Sequence, residues 1–128
     1  MKTFEKNLNK VQQIAEEKGW NVDVDIEDNG DTAAITFQKY SSAGQDFYFI
    51  ASGYETDGIY GILDSIYNYW EGFDVSYEAY LWLDEFGHGK NGAPYDMLDV
   101  YNDMKECDEA IYELWNVLKE TDFEEENE

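Results

Sequence analysis

Val22, Val24 and Ile26 alternate with Asn21, Asp23 and Asp25, and the alternation runs directly into Asp28-Asn29-Gly30-Asp31. Period-two patterning that ends in an Asn-Gly turn is the strongest short-range signal of a β-hairpin. The return strand is expected over about Thr32–Tyr40, a second turn at Ser41–Gly44, and a third strand at Gln45–Ser52. Together they read as an antiparallel meander.

Around it the spacing becomes helical. Phe4, Leu8, Val11, Ile14 and Ala15 predict a first helix that stops at Gly19. Asp57 is placed to cap a second helix, with Ile59, Ile62, Leu63, Ile66 and Trp70 on its apolar side. After Gly72 the alternation of Tyr77, Ala79, Leu81 and Leu83 predicts a fourth strand over Val75–Leu83. A glycine-rich loop leads to Pro94, which suits a first helical position, and a long helix follows over Tyr95–Glu120. Its core stripe is Val100, Met104, Cys107, Ile111, Leu114, Trp115 and Leu118. The expected fold is α+β, with helices packed on a four-stranded, mainly antiparallel sheet in the order α-β-β-β-α-β-α. Residues 1–120 form one domain, and 121–128 read as a frayed acidic tail.

Charge restricts function more than it restricts fold. Thirty Asp and Glu face eight Lys and no Arg, for a net charge of −22. The imbalance is uneven: the first 19 residues hold four Lys and three Glu, and the remainder holds four Lys and 27 acids. A folded chain of this length is about 36 Å across. Duplex DNA carries 22 charges on about 37 Å of axis. Such a field repels nucleic acid, nucleotides and anionic lipid, and it attracts basic surfaces. With 43% of its residues apolar and 17% aromatic, the chain still has material for a core. It contains no apolar run of spanning length and no secretory leader pattern, and its single cysteine, Cys107, has no internal partner. A cytoplasmic protein is the expectation.

Two acid rows are the candidate partner-binding residues. Asp23, Asp25 and Glu27 fall on one strand face, about 6.7 Å apart at each step. On the last helix, Asp96, Asp99, Asp103, Glu106, Glu113 and Glu120 lie within about 60° of one line. Like charges at this spacing cost roughly 0.2–0.5 kcal/mol per pair. A row with little Lys to offset it is therefore a surface kept for a basic partner, set against the plainer reading of a solvated face. Tyr40, Tyr48, Tyr80, Trp82 and Tyr112, on polar faces, add rigid contact area.

Two other features point away from metal and catalysis. Starting a calcium loop at Asp25 puts Gly30 at position six, but position twelve is Thr36 and the apolar alternation belongs to a strand. Gly87-His88-Gly89-Lys90-Asn91-Gly92-Ala93-Pro94 holds the lone His, with the wrong glycine spacing for a P-loop and no nucleophile or second metal ligand beside it. It reads as a turn. No metal, no cofactor and no catalytic residue is expected.

The stretch from Tyr40-Ser41-Ser42-Ala43-Gly44-Gln45-Asp46-Phe47, through Phe73-Asp74-Val75-Ser76-Tyr77-Glu78-Ala79, to Gly87–Pro94 resembles a group of small acidic proteins of phages and mobile elements of gut bacteria. The resemblance covers residues 40–104, and GHGKNGAP is its most specific piece. Proteins with that genomic habit include anti-restriction and anti-CRISPR factors. The resemblance thus implies a DNA-mimic-type inhibitor that binds a basic nucleic-acid-binding nuclease of a host defence system. The alternative is an acidic adaptor or scaffold that binds a basic partner without mimicry.

Overall fold

Val24 stands opposite Ile35, and Ile35 opposite Ala51, so the apolar positions of three successive strands share one face. The structure, a computed structural model, describes residues 2–28, 30–89 and 96–125. Its sheet has three antiparallel strands in the order β1 (Asn21–Ile26), β2 (Thr32–Tyr40) and β3 (Asp46–Tyr54). The first hairpin closes as the sequence predicts. Gly30 takes a positive φ of 76°, and its N–H donates to the Glu27 carbonyl at 2.8 Å. A β-carbon would be strained there, which explains the glycine.

On the inner face an aromatic column runs from Trp20 through Phe37 and Phe49 to Tyr69, with ring centroids 6.2, 5.0 and 4.7 Å apart at successive steps. Desolvation in this column pushes the Tyr69 phenol up to about 12. Each fully buried side chain such as Phe37 or Ile35 contributes about 1.5–3 kcal/mol.

Helix α1 (Thr3–Glu17) buries Phe4, Leu8, Val11 and Ala15 in this core. Helix α2 (Ile59–Glu71) buries Ile59, Ile62, Leu63 and Ile66. It lies so close to β3 that a β-carbon on Gly53 would sit 3.2 Å from Ile62 Cδ1 and 3.3 Å from its backbone nitrogen. Ser65 Oγ accepts from the Ser52 N–H at 3.1 Å, which satisfies part of the free edge of β3. Asp57 does not cap α2. It closes a short 3-10 turn, Glu55–Asp57, and Gly58 at φ 68° supplies the entry to the helix.

The expected fourth strand is a helix, α3 (Val75–Leu81). Asp74 caps it by accepting from the Tyr77 N–H at 3.2 Å, and Val75, Ala79 and Trp82 turn inward at helical spacing. The observed order among the described residues is therefore α-β-β-β-α-α-α, on three strands rather than four. The last helix, α4 (Met97–Lys119), starts later than predicted because Asp96 is its cap, accepting from the Asp99 N–H at 2.9 Å. Val100, Met104, Cys107, Ile111, Leu114 and Leu118 of the predicted stripe are buried, and Trp115 is half-buried. Pro94 lies outside the described residues.

Residues 121–125 are not a frayed tail. Asn7 donates to the Glu124 carbonyl at 2.9 Å and accepts from the Glu124 N–H at 3.0 Å. Lys10 donates to the Asp122 carbonyl at 2.6 Å, and Phe123 packs on the core.

Candidate protein-binding surface

Helices cover the inner face of the sheet and leave the outer face open. On that outer face Asp23 pairs across the strands with Thr36 and Ile50, and Asp25 with Ala34 and Ser52. Asn21, Gln38 and Tyr48 form the next rank, with Asn21 Nδ2 donating to Gln38 Oε1 at 2.6 Å. Asp23, Asp25 and Glu27 are all exposed, and among the described residues none of them forms a salt bridge. Across β2 on the same face stand Tyr48, Ile50 and Tyr54, each more than half exposed. The surface thus combines an acid row with an apolar, phenolic row.

At one end the face deepens into a groove of about 510 Å³ between the strands and the flank of α2. Asp25 and Glu27 line one side, Asp57 and Asp64 the other, with Ser52, Tyr54 and Asn68 between them. Four carboxylates facing one concavity make it attractive to cations. Sequence reasoning found Asp23, Asp25, Glu27 and Tyr48. It missed Ile50 and Tyr54, although their alternation with Phe49, Ala51 and Gly53 was readable, and it missed Asp57 and Asp64, which join only through the docking of α2.

The row on α4 has a different character. Asp96 is the helix cap. Asp103, predicted to face solvent, is only 5% exposed. Burial raises its carboxyl above the ordinary range; the Ser41 hydroxyl and the Ala43 N–H oppose this, and Glu106 adds to it. Neither carboxyl oxygen makes a well-formed hydrogen bond among the described residues. Glu106 accepts from both the backbone N–H and the hydroxyl of Ser42, at 3.0 and 2.9 Å. Glu113 pairs with Lys18 at 3.7 Å. Asp99 and Glu120 of the predicted row are exposed acids, and the Asp99 N–H serves the cap. Asp103, Glu106 and Glu113 lean on the rest of the fold. The two predicted rows are thus not brought together into one surface.

His88 sits in a tight turn. Asp84 Oδ1 accepts from the N–H groups of Phe86 and His88 at 2.8 and 2.9 Å, Gly87 takes φ 79°, and Leu83 bridges to Gly89. Residues 90–95 of that loop lie outside the described residues. Cys107 is buried, and desolvation pushes its thiol up to about 12, far from the thiolate that nucleophilic chemistry needs. Among the described residues no group of three or more His, Cys, Asp or Glu is arranged to hold a metal ion, and no helix is long and apolar enough to cross a membrane.

No family model, curated protein or solved structure matches the chain.

Proposed function

We propose that this chain is an inhibitory binding protein that docks its open sheet face onto a basic, nucleic-acid-binding protein and takes the place of nucleic acid there. The observation that carries the reading is the exposed row of Asp23, Asp25 and Glu27, without an ion pair among the described residues, on the same sheet face as Tyr48, Ile50 and Tyr54 across β2. Acids spaced at about 6.7 Å along a strand present charge in a straight line, as a nucleic-acid backbone presents phosphates. The neighbouring aromatic and aliphatic side chains add desolvated contact area that charge alone lacks. A net charge of −22 steers the encounter toward basic clefts and away from nucleic acid itself. The resemblance to acidic proteins of mobile elements makes a nuclease of a host defence system the partner of choice.

Electrophoretic competition tests this. Added to preformed complexes of duplex DNA with restriction or Cas nucleases, the protein should release the duplex from at least one of them. Release should weaken steeply as salt rises. A partner that binds the sheet face but has no nucleic-acid-binding surface would replace mimicry with the adaptor reading.

A further inference from the structure

Four large rings sit together at the margin of the core, where Trp70 and Trp115 pack against it. Tyr67 and Trp70 of α2 meet Tyr112 and Trp115 of α4 in a closed circuit of contacts. Centroid distances are 5.8 Å for Tyr67–Trp70, 4.8 Å for Trp70–Tyr112, 6.0 Å for Tyr112–Trp115 and 4.7 Å for Trp115–Tyr67. The rings are inclined at 42–49° to one another, so their faces are not used up by parallel stacking. Tyr112 is 42% exposed and the other three are half-buried.

The surroundings are anionic. The Tyr67 phenol is raised by its hydrogen bond to Glu71, with the charge of Glu71 adding to the effect. Asp108 lies beside Trp70; burial raises its carboxyl, Glu109 adds to this, and the indole, whose buried N–H makes no well-formed hydrogen bond among the described residues, partly offsets it. One cation of the chain already uses the surface. The Lys119 ammonium stands 4.6 Å from the centroid of Trp115.

We propose that this ring quartet is an arginine-reading surface, which engages guanidinium groups on the basic partner. The inference deepens the function proposed above and rests on the partner being basic. Rings rimmed by carboxylates suit arginine better than lysine, for a physical reason. Guanidinium is planar and weakly hydrated, so it lies on a ring face while its N–H groups reach carboxylates at the edge. An ammonium is a compact charge that keeps its water. Lys119 stands over Trp115, and Tyr112, at 42% exposure, is the ring most open to the partner.

Calorimetric titration with decapeptides of arginine and of lysine, which carry equal charge, tests the surface. The arginine peptide should bind roughly two- to fivefold tighter for each ring engaged. Tyr112→Ala should lower that preference by about the factor for one ring and leave lysine-peptide affinity nearly unchanged. Lys119→Gln, a change at an exposed position, should raise the preference by opening the Trp115 face, and it keeps the test decisive if Tyr112→Ala fails to fold. The triple Asp23→Asn, Asp25→Asn, Glu27→Gln should weaken both peptides together and preserve their ratio. Equal affinity for the two peptides in the unaltered protein overturns the proposal, as does a preference that neither single variant moves. An arginine preference in a protein that displaces duplex from no nuclease would leave this surface standing and remove the inhibitor reading. Displacement without the preference would do the reverse.

Discussion

Glu106 on α4 accepts two hydrogen bonds from one residue, Ser42, through its backbone N–H at 3.0 Å and its hydroxyl at 2.9 Å. The contact joins the turn between β2 and β3 to a helix 64 positions away. Ser41 completes the turn from within: its hydroxyl accepts from the Gln45 N–H at 2.9 Å, and its N–H donates to the Gln45 carbonyl. An acid that charge patterning marks for a partner is thereby committed to the fold. Glu106→Ala should cost about 1 kcal/mol in urea denaturation, the worth of a partly exposed charged hydrogen bond. Ser42→Ala should cost less, because the backbone donor remains. Equal costs would mean that the hydroxyl carries the contact.

Asp103 predicts an unusual pH response. Its carboxyl, with those of Glu78 and Asp108, is raised foremost by burial. The folded chain therefore holds these protons more tightly than the unfolded chain, so ionising the groups costs stability as pH rises through their folded values. Stability should climb on mild acidification from neutrality and gain nothing further from these groups below about pH 4, the ordinary unfolded range. Asp103 faces Ser41 and Ala43 of the turn and Glu106 and Cys107 of its own helix, none of them a cation. Asp103→Asn should raise the urea midpoint near neutrality and flatten the acid-side gain. A lower midpoint at neutral pH would show that the charge is needed.

Gly53 admits α2 to the sheet. A methyl group there meets Ile62 Cδ1 at 3.2 Å, the Ile62 nitrogen at 3.3 Å and the Gly61 carbonyl carbon at 3.4 Å. The side-chain atom can shift but the backbone atoms cannot do so cheaply. Gly53→Ala should cost roughly 1–3 kcal/mol, the range for overpacking. Equal or greater thermal stability would contradict the close approach of helix and strand.

How legible this was in the sequence depends on what each signal measures. The meander was readable because alternation and the Gly30 turn are local. The segment Val75–Leu81 was misread because Tyr77, Ala79 and Leu81 alternate by chance. The cap at Asp74 and the inward spacing of Val75, Ala79 and Trp82 decide for a helix. Asp103 was misplaced because a helical projection locates it at the margin of the apolar stripe, and only the packed turn at Ser41–Gly44 determines that it is covered. The anchoring of residues 121–125 depends on Asn7, more than a hundred positions away, which no local pattern reports. For the candidate surface, the acid row of β1 and Tyr48 were readable, and the groove formed with α2 was not.

The competition measurement with paired charge variants bears most directly on the central claim that the open sheet face replaces nucleic acid on a basic partner. Duplex release from a defence nuclease would be titrated at about 150 mM salt for three proteins: the unaltered chain, the triple Asp23→Asn, Asp25→Asn, Glu27→Gln, and a control triple at Glu16, Glu17 and Glu125 changed to Gln. Both triples remove the same formal charge. The account predicts that the strand triple loses at least tenfold in potency, while the control triple loses only a few-fold. Equal losses from both triples would mean that bulk charge alone acts, and absence of release by the unaltered chain from every nuclease tried would contradict the account outright.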